Sequence, residues 1–559
     1  MKRHQLIQSF FITAVALFTA MTTTAQPSSV KSVAKSVFTL TTFKADGSLL
    51  ASSHGVFVDA AGTAISDWSS FDGASKAVVI DASGKRMEVE CIIGANEIYD
   101  VAKFRVAGKT TGAAIAQTSV AEGANVYLVG YSVKKPEITT TRIDKVETFM
   151  DKYSYYIIKS ILPDNTQSCP LVNESGQVIG FVQHSQYTTD NHATDAQYIV
   201  DIQLTGLSVN DPVLRRTNIP TAIPDDKEQA RLALLLSGQT ADSTKYAKTI
   251  EMFLNKFPNL SDGYSARAQR SLVTNNFAAA ANDMEAAIKN ATEKDEAHFS
   301  YAQLIYQKEV YRSGIPYPDW SLDKAYDEAQ KAYDINPQPL YQHLQAQILF
   351  TKQEYQVAYD RFMALTGTNL RNPELYYEAA QCKKKLDATS DEIVTLLDSA
   401  INQFKLPYPA EAAPYFYARA GERAEKGEYR KAVADYNQYD TLMLGRHNAD
   451  FYYVREQCEV KARQFQQALI DIEIATRMEP REPLYWAEKS SLLLRLNMSK
   501  EAMESAEQCI ALDPEYSDGY MLKGLINIHK GDKKTGLELL AKARDMGNEQ
   551  AQGLIDKYK

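Results

Sequence analysis

A chain of 559 residues is too long for a single hydrophobic core, so about two to four domains are expected. With 45% hydrophobic and 23% charged residues it is globular rather than disordered. A formal charge of −9 without a basic stripe argues against a nucleic-acid partner.

Residues 1–25 read as a signal peptide. Lys2 and Arg3 precede the apolar run "LIQSFFITAVALFTAM", and "TTTAQ" offers a small-residue cleavage site after Ala25. Loss of this segment takes the formal charge to −11 and leaves no run long enough to span a bilayer. The mature chain is therefore expected to lack a transmembrane span.

From residue 30 to residue 210 the apolar pattern has period two. "SVFTLTTF", "HGVFVD", "KAVVID", "ANVYLVGY" and "QVIGFVQ" are short strands, and "DAAGT" and "DASGK" are turn signals. Many short strands with almost no helical periodicity predict an all-β barrel or sandwich. Residues 211–225, with Pro212, Pro220 and Pro224, read as a linker. Cys91 and Cys169 are the two cysteines of this half. A bridge between them in an oxidising compartment and a pair of buried free thiols both fit.

Residues 226–550 change to a helical period and repeat. Tyr452, Trp486 and Tyr520 lie 34 residues apart, as do Ala468, Ala502 and Gly536, then Ala475, Cys509 and Ala543, and also Pro480 and Pro514. Small residues let two helices approach closely, aromatics fill the gap to the next pair, and Pro follows the second helix. This pattern resembles the tetratricopeptide repeat, and about eight such units follow one another, closed by a capping helix over residues 551–559.

Three segments of the β half resemble the trypsin-fold serine peptidases of the exported HtrA/Deg type. "SSHGVFVDAAGTAISDWSSF" resembles the strand pair leading to the catalytic His, "GANEIYDVAKFRV" the catalytic-Asp segment, and "NTQSCPLVNESGQVIGFVQ" the nucleophile segment. The resemblance implies a double β-barrel followed by an all-α tetratricopeptide superhelix. Carried over by position, Ser69 stands in the His slot, Asp100 in the Asp slot and Gln167 in the Ser slot. A carboxamide is no nucleophile, and without an imidazole no group takes up a hydroxyl proton, so no catalytic residue is expected. Ser168 lies one residue beyond the aligned slot and is expected to point elsewhere. A displaced site would need Ser168 or Cys169 paired with His54 or His184.

No phosphate loop, H-E-x-x-H motif or Cys/His cluster occurs, so no metal or cofactor is expected. The expected function is that of an exported, non-catalytic scaffold that binds proteins or peptides. The alternative is a serine- or cysteine-type peptidase with a displaced nucleophile that recruits substrate through its repeats. By the tetratricopeptide resemblance, the groove residues are Tyr417, Tyr453, Gln457, Lys461, Arg495 and Met521. Export implies a location in the periplasm or at the outer membrane, with an outer-membrane complex among the partners.

Overall fold

The computed structural model describes residues 26–132, 135–163, 166, 168–183, 190–239 and 243–559. The expected signal peptide and the positions of Gln167 and His184 lie outside the described residues. Two compact units divide the chain at Ala297 and His298.

In the first unit, period-two alternation builds a closed antiparallel barrel. Its strands are β1 (Val37–Phe43), β2 (Leu49–Phe57), β3 (Thr63–Ser66), β4 (Lys76–Asp81), β5 (Arg86–Asn96) and β6 (Val101–Val106), in the order β1-β2-β3-β6-β5-β4. Phe38, Leu40, Phe57, Val79, Ile92 and Phe104 fill the interior together with Trp68 and Phe71. Closure brings backbones close. A Cβ on Gly55 would sit 2.4 Å from both the Ile65 carbonyl oxygen and the Phe38 ring, so only glycine fits there.

A seven-stranded antiparallel sheet follows, in the order β8-β7-β11-β12-β13-β10-β9. It contains β7 (Asn125–Ser132), β8 (Lys135–Arg142), β9 (Lys145–Phe149), β10 (Tyr153–Ile158), β11 (Pro170–Val172), β12 (Val178–Gln183) and β13 (Asn191–Asp195). The short α1 (Ser28–Val33) buries Val30 and Val33 against residues of both sheets. The Asp195 carboxylate caps α2 (Ala196–Val200) by accepting from the Gln197 amide.

The segment read as a linker packs onto the barrel. Leu214 and Ile219 enter the barrel core, the Ile92 amide donates to the Pro220 carbonyl, and the Ala222 amide donates to the Ile92 carbonyl. Its backbone bridges Thr221 to Ile92 of β5 in parallel, while its apolar side chains pack onto the barrel. Helices α3 (Lys227–Gly238), α4 (Ser243–Lys256), α5 (Ser261–Val273) and α6 (Phe277–Asn290) follow in this unit. Arg231 on α3 ion-pairs with Asp262 at 3.1 Å, Glu293 at 2.7 Å and Glu296 at 3.1 Å.

From α7 (Lys294–Tyr311) onward the chain is helical. It runs through α8 (Leu322–Ile335), α9 (Pro339–Thr351), α10 (Tyr355–Leu365), α11 (Pro373–Lys385), α12 (Ser390–Ile401), α13 (Ala413–Glu425) and α14 (Tyr429–Met443). It continues through α15 (Ala449–Lys461), α16 (Phe465–Met478), α17 (Pro483–Arg495), α18 (Ser499–Leu512), α19 (Ser517–His529), α20 (Lys533–Asp545) and α21 (Ala551–Tyr558). Pro480 and Pro514 each stand two residues beyond the helices ending at Met478 and Leu512.

The repeated small residues mark where paired helices touch. Ala468, Ala502, Ala475, Cys509 and Ala543 are fully buried. A Cβ on Gly524 would sit 2.9 Å from the Gly536 carbonyl oxygen, and Ser490, one repeat earlier, donates its hydroxyl to the Ala502 carbonyl at 2.8 Å. A further register, not apparent from composition, pairs a cation on the first helix with an aspartate on the second. Arg419 forks onto Asp435 at 2.9 and 2.7 Å, and Arg455 forks onto Asp471 at 2.6 and 2.9 Å.

Candidate functional site

Where β3 ends, the chain turns through Asp67, Trp68, Ser69 and Ser70. The Ser70 amide donates to Asp67 Oδ2 at 2.8 Å, a local turn that holds the Asp67 carboxylate inside the fold. The β5–β6 turn is shaped by Asn96, whose Oδ1 accepts from the amides of Ile98 and Tyr99. It delivers Asp100 with a left-handed φ of 44°.

These two turns bring Ser69 and Asp100 together. The Ser69 amide donates to Asp100 Oδ1 at 2.7 Å, and its hydroxyl lies 3.1 Å from Asp100 Oδ2 and 3.1 Å from Asp67 Oδ2. One hydroxyl carries one proton, so Ser69 Oγ satisfies one carboxylate at a time. Burial raises the Asp100 pKa, and the neighbouring Asp67 charge raises it further. Hydrogen bonds from Ser69 and the Trp68 backbone act in the opposite direction.

Ser168 joins the same network, which corrects the expectation that it points elsewhere. Its φ of 61° turns the side chain inward, and its hydroxyl donates to Asp67 Oδ1 at 2.7 Å. The residue is 2% exposed. The Ser66 hydroxyl lies 2.9 Å from Asp67 Oδ1, and Asp67 is the centre of the cluster. Sequence reasoning passed over Asp67, although an acid two residues before the aligned slot was a usable signal.

A carboxylate is too weak a base to hold a serine proton, so these contacts organise the turn without ionising a hydroxyl. Cys91 and Cys169 are buried free thiols. Burial pushes the Cys169 thiol up to about 12, which keeps it protonated at neutral pH. Burial lowers the His54 pKa, opposed by a hydrogen bond with the Tyr131 backbone. The Ser66 hydroxyl also lies within reach of the His54 carbonyl, so its one proton goes to either that oxygen or Asp67.

The expected groove residues divide by burial. Tyr417 is 40% exposed and packs edge-on against Tyr436 and at a tilt against Tyr439. Tyr453, half-buried, lies 5.6 Å from the Tyr485 ring. Gln457 donates to Glu456 Oε2 at 2.7 Å. Lys461 lines a cleft of about 480 Å³ with Arg430 and Arg463, and Arg495 is exposed. Met521 does not belong to this set. It is 9% exposed and packs in a core cluster with Leu522 and Leu540, because its helix turns that position toward the adjoining helices.

Beside these residues lie two buried acids, Glu456 at 1% and Glu459 at 2% exposure. One oxygen of each, Glu456 Oε1 and Glu459 Oε2, lacks a hydrogen-bond partner. Burial pushes both carboxyls up to about 8, aided by the Glu488 charge at Glu456 and the Asp471 charge at Glu459.

No protein-family model matches the chain. A stretch of 113 residues, 20% of the chain, is 26% identical to U-box domain-containing protein 70 of Oryza sativa subsp. japonica. The match spans 13% of that protein's length.

Proposed function

We propose that this chain is an exported scaffold whose tetratricopeptide-type helices bind proteins or peptides, and whose trypsin-like β region is catalytically silent. The observation that carries the reading is the double hydrogen bond from Ser69 to Asp100. The slot that needs an imidazole is occupied by a short hydroxyl side chain already engaged with the carboxylate. The Ser168 hydroxyl donates a hydrogen bond to Asp67 and is closed off from solvent, which gives the displaced-nucleophile alternative no support.

The binding surface rests on the exposed Tyr417, Lys461 and Arg495 with the half-buried Tyr453 and Gln457. Tyrosine and arginine combine contact area with directed hydrogen bonds. Periplasmic or outer-membrane placement follows from the signal-like character of residues 1–25. Photo-cross-linking from positions 417 and 453 of the full chain in its native envelope tests the reading. It is expected to trap the same partner from both positions, and trapping is expected to fall in a variant carrying Lys461→Ala and Arg495→Ala. Failure to trap any reproducible protein from either position would sink it.

A further inference from the structure

Each helical hairpin from α9 onward turns through a left-handed residue two positions beyond the end of its first helix. Gln353, Asp387, Gly427, Asn497 and Gly531 fill that position, with φ between 52° and 94°. Between α15 and α16 it holds Arg463 at φ 62°, the one cation of the set. Glycine and asparagine adopt this backbone at least cost, so an arginine stands here against the local preference.

Arg463 lines the cleft of about 480 Å³ between the α13–α14 and α15–α16 turns. Four cations, Arg430, Lys431, Lys461 and Arg463, share that lining with one carboxylate, Glu428. All four cations are exposed. Glu428 is already neutralised, because Lys426 and Lys431 each ion-pair with it at 2.9 Å. Among the described residues, Arg430, Lys461 and Arg463 have no carboxylate partner. Like charges gathered in one cleft repel, and an anionic occupant removes that repulsion. In a chain of net charge −9 this is a local reversal of sign.

Tyr453, Gln457 and Lys461 stand four residues apart on α15 and so share a face that runs up to the cleft. A ligand on that face meets a tyrosine and a carboxamide before it meets the cations, which suits an extended chain rather than a compact ion.

We propose that this cleft binds a run of Asp or Glu residues in a peptide segment whose remainder lies along α15. The inference rests on the reading of the helices as a protein-binding surface and adds the chemistry of the segment they hold. Arg430 and Arg463 lie outside the positions that the tetratricopeptide resemblance nominates.

Fluorescence anisotropy of the full chain with a rhodamine-labelled Tyr-Gly-Gly-Glu-Glu-Glu-Glu peptide tests it. The comparisons are the counterpart with Gln for Glu, inorganic phosphate and phosphatidylglycerol vesicles. Saturable binding of the acidic peptide is expected, at least about tenfold tighter than the Gln counterpart and weakened by added salt. Arg430→Gln combined with Arg463→Asn is expected to weaken it at least about fivefold. Asparagine suits the left-handed turn, as Asn497 does, so the fold is kept. Lys461→Gln, at a helix end, serves as a second variant. Equal binding of the two peptides, unchanged affinity in both variants, tighter binding of phosphate or vesicles, no saturation below about 1 mM, or a dimer of the native chain that the variants dissolve overturns the proposal. Because the peptides are supplied, the titration reads the cleft even where cross-linking from positions 417 and 453 traps no partner. A trapped partner whose capture both variants leave intact sinks this inference alone.

Discussion

Asp67 is the residue on which the β-region network turns. It accepts from Ser70 and Ser168, and it shares the Ser69 hydroxyl with Asp100 and the Ser66 hydroxyl with the His54 carbonyl. Ser168→Ala removes a buried hydrogen bond to a carboxylate while keeping the left-handed backbone. The expected cost is about 1–3 kcal/mol, read as a lower denaturant midpoint of the β-region transition. A shift near zero would mean that the Ser168–Asp67 contact contributes nothing. The network was half legible in the sequence. Positions carried from a known motif brought Ser69 to Asp100, but motif spacing treats every backbone as extended. The φ of 61° at Ser168 rotates its side chain into a site that counting residues assigns to its neighbour.

Glu456 and Glu459 make a second prediction at the residue scale. Both are raised above the ordinary carboxyl range to about 8. Between that range and about 8 the folded chain therefore holds protons that the unfolded chain has released. Their contribution to stability is complete below the ordinary range and is lost as pH rises toward 8. The melting temperature of the helical region should fall over this interval, and Glu456→Gln should flatten the fall. A profile that is flat in the native protein would contradict the assignment.

At the scale of elements, the helical pairs are held by backbone contact at small residues. Gly524 and Gly536 face each other so closely that a Cβ on Gly524 meets the opposing carbonyl oxygen at 2.9 Å. Gly524→Ala should destabilise the α19–α20 pair by about 1–3 kcal/mol despite alanine's higher helix propensity. A stabilised variant in thermal or chemical unfolding would refute the close-contact account. The 34-residue spacing of small residues made these hairpins legible, because close approach leaves few side chains to choose from. Position 456 broke that pattern. It is one repeat before Ser490 and two before Gly524, yet it holds a buried glutamate whose cost no periodicity reveals. The Arg455–Asp471 fork was equally hidden, since charged residues on a repeat helix read first as a solvated face.

At the scale of the whole molecule, the strand-rich half and the helical half were legible from the change of period. Two features were not. Residues 211–225 look like a tether because prolines interrupt them, but Leu214, Ile219 and Ala222 are buried and the segment is hydrogen-bonded to Ile92. Arg216 within it pairs with Asp72 at 3.1 Å and Glu97 at 2.7 Å. Native trypsin digestion is therefore expected to spare the Arg215 and Arg216 bonds, and rapid cleavage there would show a mobile tether instead. The second feature is the register of the second sheet, since the resemblance implies two barrels and the first sheet alone is the closed barrel in the described residues. Alternation predicts strands, while the register that joins the ends of a sheet depends on contacts distant in sequence. The first sheet closes into a barrel, and the second is a seven-stranded sheet with β8 and β9 at the ends of its order.

The proposal that the β region is catalytically silent makes a chemical prediction about Ser168 and Cys169. Intact-mass spectrometry of the native full chain after treatment with a fluorophosphonate, and separately with iodoacetamide, tests it most directly. No adduct is expected from either reagent under conditions that label an active serine hydrolase to completion. A stoichiometric adduct on Ser168 or Cys169 that disappears in His54→Ala or His184→Ala would contradict it.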